Sequence, residues 1–302
     1  MRILVSGGSG LVGSAVVQAL IRSGNDIRKL VRERQTGNGT QGNGIAWNAE
    51  TGGVDEKALK EWGDPEAVIH LAGENIASGR WTKEKKRRIR ESRVETTQRL
   101  AKSLVGVGGV KVFVGASAIG FYGDRGEEVL TEASSRGTGF LAETCEQWEA
   151  AAQPLVVGGA RVVHLRFGMI LSADGGALAK TLPIFQLGLG GKLGNGRQWV
   201  SWVSRNDVVR AIEFAVHQRS VAGPHNVVAP NPVRNAEFTL ELGKAIRRPT
   251  VWPAPPFVLR MVFGEMAEAL LLSSQRVFPG RLTQSGFKFE QSTLREAFKA
   301  CL

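Results

Sequence analysis

The chain of 302 residues contains one tyrosine, Tyr122, two cysteines and four histidines. Cys145 and Cys301 cannot build a disulfide framework, which fits a reducing cytosol. None of His70, His164, His217 and His225 stands at metal-ligand spacing from another, so no metal site is expected. No apolar run is long enough to span a bilayer, and MRILVSGG reads as a strand from its first residues rather than as a signal peptide. A cytoplasmic protein with no membrane partner is therefore expected. Internal repeats and low-complexity tails are absent.

Acidic residues are also scarce. Asp and Glu number 28 against 39 Lys and Arg, leaving a net charge of +11. The densest basic run, KEKKRRIRESR at 83–93, holds seven cations and two glutamates and so supplies +5 of that charge. Ile89 begins an apolar series continued by Thr97, Leu100 and Leu104, so the run reads as the start of one amphipathic helix. A solvated helix face is the simpler account of these cations. Phosphate binding by some of the arginines is the sharper one, and nucleic acid is the weakest partner candidate.

A hydrophobic content of 42% with 22% charged residues is that of a globular protein with one large or two small domains. The first half alternates. RILVS (2–6) is an apolar run ending in glycines, and Leu11, Val12, Ala15, Val16, Ala19 and Leu20 then repeat at helical spacing. Further strands are read at 27–31, 45–47, 67–73, 111–117 and 160–168, with helices at 54–62 and 139–152 and a Gly/Asn loop at 35–44. Alternating strands and helices predict an α/β fold, a Rossmann-type doubly wound parallel sheet. Residues 1–168 form this domain, and helix 207–218 and a strand near 225–229 return to it. Residues 169–302 supply a smaller substrate-side domain. Within it an apolar helix, 257–274, is broken near Gly264.

SGGSGLVG (6–13) places Gly7, Gly10 and Gly13 three apart between the first strand and helix. Gly7 allows the tight turn, Gly10 lets a pyrophosphate approach, and Gly13 lets helix and strand pack. Gly7, Gly8, Ser9, Gly10, Leu11, Val12 and Gly13 thus form the candidate cradle, with the helix N-terminus offering N–H groups to phosphate. At the end of the next strand NAD sites carry an acid that binds ribose hydroxyls. Here Arg32 stands there, and a guanidinium grips a 2′-phosphate. Arg34 is placed to assist, and NADP(H) is the expected cofactor.

The glycine spacing, HLAG (70–73) and GASAIGFYG (115–123) together resemble the extended short-chain dehydrogenase/reductase superfamily. HLAGENI, RWTKEKKRRIRESRVETTQ, AETCEQWEAAA, LRFGMILSADGGAL and GLGGKLGNGRQWVSWV narrow the likeness to its NAD-dependent epimerase/dehydratase-like subfamily 39U. Residues 263–289 resemble that subfamily's C-terminal domain of unknown function, so the likeness covers nearly the whole chain. It implies a Rossmann-type fold, bound NADP(H), an unknown small-molecule substrate and, as in many extended reductases, a homodimer. By motif, Leu71, Ala72 and Gly73 would line the cofactor. Arg93 would approach its phosphates or ribose, although a plain helix-face role fits equally. Arg166 would lie near the nicotinamide, with a buried ion pair as the competing role.

The resemblance also exposes a gap. Such reductases place a Ser/Thr after the fourth strand and a Tyr-x-x-x-Lys on the following helix. The lysine is needed because a free phenol, with a pKa of about 10, is a poor base near neutrality. The sole tyrosine is followed four positions on by Gly126, so no such dyad exists in the chain. In GFLAETCEQWEA its places fall at Phe140 or Leu141 and at Thr144 or Cys145. Ser117 matches the hydroxyl position. Tyr122, in a different motif, either contacts substrate or supports the fold, or else serves as an acid–base group with Arg125 nearby. Ser117 and Tyr122 are the catalytic candidates. In GRQWVSWVSRNDV the family histidine position is Ser204, and Asp207 reads as the cap of the next helix. Two functions remain open: an epimerase-like oxidoreductase with a non-standard site, or a catalytically weak NADP(H)-dependent binding or regulatory protein.

Overall fold

The computed structural model describes residues 1–32 and 44–302. The first apolar run is strand β1 (Arg2–Ser6), which turns through the glycines into helix α1 (Leu11–Arg22). There follow β2 (Asp26–Arg32), β3 (Gly44–Trp47), α2 (Glu56–Trp62), β4 (Ala67–His70), α3 (Lys83–Glu91), α4 (Val94–Val107) and β5 (Val112–Ala118). A 3₁₀ turn over Ile119–Tyr122 leads to β6 (Val129–Leu130), α5 (Phe140–Ala150), α6 (Gln153–Val157) and β7 (Arg161–Phe167). Beyond lie β8 (Met169–Leu171), α7 (Gly176–Gln186), β9 (Trp199–Val200), β10 (Trp202–Ser204), α8 (Arg205–His217), β11 (Gly223–Val227), β12 (Val233–Arg234), α9 (Asn235–Ile246) and α10 (Pro256–Phe263).

Seven strands pair in the order β11-β7-β5-β4-β1-β2-β3, every pair parallel. Side chains alternate across this sheet because successive strand residues point to opposite faces. Ile3, Val5, Val114 and Val163 join Val16, Leu20 and Ile212 in one core. Leu4, Val68 and Phe113 join Leu100, Leu104 and Leu155 in the other. The chain leaves β1 toward β2 on one side and later returns to β4 on the other. Ligands of open α/β sheets bind where strand order reverses in this way, here beyond the C-terminal ends of β1 and β4.

The single amphipathic helix expected from residue 83 onward is two helices. The hydroxyl of Ser92 donates back to the Ile89 carbonyl and accepts the Glu74 N–H at 3.0 Å, so the turn is tied to the loop after β4. Arg93 stands in the break with φ −105°. Outside the sheet, a separate cluster around Leu171, Trp202, Phe238, Leu242 and Phe298 forms the core of the smaller unit. Its segment Arg276–Val277 pairs in parallel with β6, immediately after the tyrosine turn.

Candidate functional site

The glycine turn is shaped by contacts that only hydrogen permits at Cα. Gly7 has φ +70°, and a Cβ on it would lie 2.8 Å from the Ala72 nitrogen and the Leu71 carbonyl carbon. A Cβ on Gly13 would lie 2.1 Å from the Gly7 oxygen. At Gly10 the nearest atom would be 3.4 Å away, so the space above it is open. Gly10 caps α1 without a side chain, and no acid stands in the first turn. The amides of Leu11, Val12 and Gly13 therefore open the helix without intrahelical partners, in the positive end of its dipole. Gly8 is buried against the Lys29 stem, and Ser9 and Gly10 are exposed. This is the electrostatics of an anion cradle.

The loop after β4 closes its side. The Leu71 N–H donates to the Ser6 carbonyl at 3.2 Å, and Gly73 faces Arg93, whose guanidinium carbon would be 3.4 Å from a Cβ there. The Arg93 guanidinium donates to the Ile89 carbonyl and the Ser92 hydroxyl and stacks 5.1 Å from the Trp148 ring centroid. Burial lowers its pKa from the usual arginine range. No described carboxylate is within ion-pair distance of it. The nearest acid, Glu74, is held by Lys85 at 2.5 Å, and that contact is the main cause of Glu74's lowered pKa. The structure thus brings Gly7, Leu71, Ala72, Gly73 and Arg93 together beyond the C-terminal ends of β1 and β4. The rest of the basic run is largely a paired surface: Arg87 bridges Glu84 and Glu91, and Lys86 pairs with Glu265.

On α5, the positions that would hold a dyad carry no group that titrates near neutrality. Phe140 packs edge-on to Trp81 at 5.5 Å. Burial pushes the Cys145 thiol up to about 12. Ser117, Tyr122 and Arg166 come together in the interior, where Tyr122 makes the contacts of a fold support and Arg166 those of the buried ion pair. All three are buried in one network. The Ser117 hydroxyl donates to Glu149 Oε1 at 2.7 Å. Arg166 grips both Glu149 oxygens, at 2.7 and 2.8 Å, and donates to the Tyr122 oxygen at 3.0 Å. The Tyr122 hydroxyl in turn donates to Asn226 Oδ1 at 2.8 Å. Burial of Arg166 acts to lower its pKa, but the Glu149 pair outweighs it and the net shift is upward. Burial raises the Tyr122 pKa although Arg166 opposes the shift. Arg125 does not reach the tyrosine; it pairs with Glu128. The cation beside Tyr122 is Arg166, and its Nε, Nη1 and Nη2 are already engaged.

Arg32 ends β2, in register with Trp47. Arg34 and most of the loop at 35–44 lie outside the described residues. Ser204, not Asp207, caps α8: its hydroxyl accepts the Asp207 N–H. Asp207 instead accepts the N–H groups of Glu290 and Gln291 at 2.9 and 3.0 Å, tying down the C-terminal segment. Sequence reasoning missed Glu149 and Asn226, the hubs of the buried network. Their signal was weak, an ordinary helix acid and an ordinary strand amide. It also missed Gly175, where a Cβ would lie 3.2 Å from the Leu11 side chain, so the loop after β8 comes down over the start of α1. A cleft of about 360 Å³ opens beside the tyrosine turn, walled by Asp124, Glu127, Arg197, Gln198, Arg260 and Glu268. Among the described residues no group of three His, Cys, Asp or Glu side chains could hold a metal ion.

Comparison with known proteins gives matches along nearly the whole chain. The NAD dependent epimerase/dehydratase family matches residues 3–150, and a domain of unknown function matches residues 254–301. The epimerase family protein Mb2239 of Mycobacterium bovis is 42% identical over 295 residues, which is 98% of this chain and 95% of that one. The chloroplastic SDR39U1 homolog of Arabidopsis thaliana is 35% identical over 309 residues, covering 100% of this chain and 87% of its own. The crystal structure of human epimerase family protein SDR39U1 (isoform 2) with NADPH superposes with a TM-score of 0.88 at 31% identity, covering 100% and 99% of the two chains.

Proposed function

Because the chain belongs to the NAD dependent epimerase/dehydratase family, we propose that it binds NADP(H) and acts as an oxidoreductase on a small carbonyl or carbinol substrate without a tyrosine–lysine pair. The observation that carries this reading is the open, uncapped start of α1 beside Gly73 and a part-buried arginine without a carboxylate partner. A buried cation of that kind is costly unless an anion or a set of oxygens completes it. The relative solved with NADPH supports the phosphorylated cofactor, as does an arginine where NAD sites carry an acid.

Bound NADP(H) would supply or accept the hydride. The amides at the start of α1 would hold its pyrophosphate, and Arg32 would bind the 2′-phosphate. Arg93 would give the crevice beyond β1 and β4 the positive charge that a dyad lysine would otherwise bring from α5. Ser117, Tyr122 and Arg166 brace the end of β5 and leave the substrate oxygen to other groups.

A second reading, an NADP(H)-dependent binding or regulatory protein, is favoured by one specific feature: both candidate hydroxyls are already hydrogen-bonded in the interior. Titration with NADPH followed by a screen of carbonyl compounds for loss of its absorbance separates the two. Consumption of NADPH on any substrate class establishes the oxidoreductase. Tight binding without turnover on all of them leaves the binding protein, and failure to bind NADPH removes both.

A further inference from the structure

Helix α10 presents the wrong face to water. At 100° per residue Phe257, Val258, Met261 and Val262 share an arc of about 140°. All four are exposed, Phe257 at 63% and Met261 at 67%, while Leu259 on the far side is buried at 6%. The patch does not stop at the helix. Val251 and Trp252 in the segment before it are 68% and 62% exposed, as are Leu187 at 74% and Leu189 at 55%. These two stretches are neighbours: Trp252 donates to the Gly190 carbonyl at 3.3 Å, and Ala254 to the Lys192 carbonyl at 2.9 Å. Eight large apolar side chains exposed on adjoining stretches are more than the scattered single exposures normal for a monomer.

The rim is basic. Lys192, Arg247 and Arg248 are exposed, and among the described residues none has a carboxylate within ion-pair distance. Arg248 donates to the Gln186 carbonyl, next to Leu187. Of the acids nearby, Glu268 pairs with Arg260 and Glu265 with Lys86.

We propose that this face docks on an anionic lipid bilayer, with α10 and Trp252 seated at the headgroup boundary and the cations of the rim on lipid phosphates. An interfacial surface combines aromatic and aliphatic side chains with flanking Lys and Arg, and anionic headgroups complement the net charge of +11. A second copy of the chain fits less well, because a twofold contact would press one basic rim against another. No described helix is long and apolar enough to cross a membrane, so the contact is peripheral. The expectation of no membrane partner rested on the lack of a spanning run, and that lack does not bear on a surface face.

Co-sedimentation of the full chain with phosphatidylcholine vesicles, with and without phosphatidylglycerol, tests this. Binding is expected only with phosphatidylglycerol. It should fall about tenfold in Phe257→Ser/Met261→Ser and in Lys192→Glu/Arg247→Glu, and it should weaken with salt. Trp252→Ser serves if the first pair misfolds. No binding at low salt overturns the proposal. Binding that the apolar substitutions leave unchanged also overturns it, because that is adsorption by charge alone. A dimer in sedimentation velocity that the apolar variants dissociate, with no vesicle binding, overturns it in favour of self-association.

Discussion

Arg93 and Arg32 are given different halves of one ligand, and that division can be measured at the level of single side chains. Arg93→Met should weaken NADPH binding about tenfold while leaving adenosine 2′,5′-bisphosphate, which lacks the nicotinamide half, bound as before. Arg32→Asp should weaken both about tenfold and narrow the preference for NADPH over NADH. Fluorescence titration of the four pairs checks the division. Equal losses of the two ligands in Arg93→Met would show that Arg93 only supports the loop. Of the site, the glycines and the cation at the end of β2 were legible because their meaning is local: a turn and a strand end. Arg93 was legible only as a residue with two accounts. The approach of Gly73 and the capture of Glu74 by Lys85 bear on that choice, and neither is a property of the basic run itself.

At the scale of elements, Tyr122 ties four of them. Its hydroxyl joins β7 through Arg166 and β11 through Asn226, and Arg166 extends the tie to α5 through Glu149. Tyr122→Phe leaves an arginine donor and an amide acceptor buried without their partner and should cost about 1–3 kcal/mol, read as a shifted urea midpoint with NADPH affinity unchanged. A second buried pair ties β1 to β4, where Ser6 and His70 Nδ1 lie 2.5 Å apart. Burial pushes His70 down to about 4 and also lowers His164 and His225. Since the unfolded chain takes up these protons first, their contribution is complete above an ordinary histidine pKa of about 6.5. It is lost as pH falls from there through about 4. For His70 alone the loss is about 3 kcal/mol. Urea midpoints from pH 7 to pH 4 should fall, and His70→Gln should flatten part of that fall. Every strand of the sheet and most of its helices followed from the sequence pattern, while the short α6 did not. The split between α3 and α4 did not, because Ser92 is bound to Glu74, a partner 18 residues away in the chain.

At the scale of the molecule, the smaller unit is fastened to the sheet through the turn after β5. Asp124 accepts the Ser274 N–H at 3.0 Å, and Gln275 donates to the Ile119 and Gly123 carbonyls at 3.1 and 3.0 Å. The GFYGD turn is therefore a seam between the two units. Asp124→Ala should raise amide exchange across residues 273–278, and leave β1 protected as before; lower the melting temperature by a few degrees. Hydrogen exchange resolved by peptide mass checks the localisation, and uniform loosening would place the effect in the whole fold instead.

The sequence by itself determined the parallel sheet, the glycine cradle, the arginine at the end of β2 and the want of a tyrosine–lysine pair. Each is written in neighbouring residues: periodicity, a three-residue spacing, a single count of tyrosine. Only the tertiary structure decided which groups Ser117, Tyr122 and Arg166 bond to. Their partners, Glu149 and Asn226, lie 17 to 104 residues away, and only the folded chain converts such separations into hydrogen bonds. It likewise decided that the apolar side of α10 faces outward. Helical spacing shows that a helix has an apolar face, but only the packing around it decides whether that face is buried.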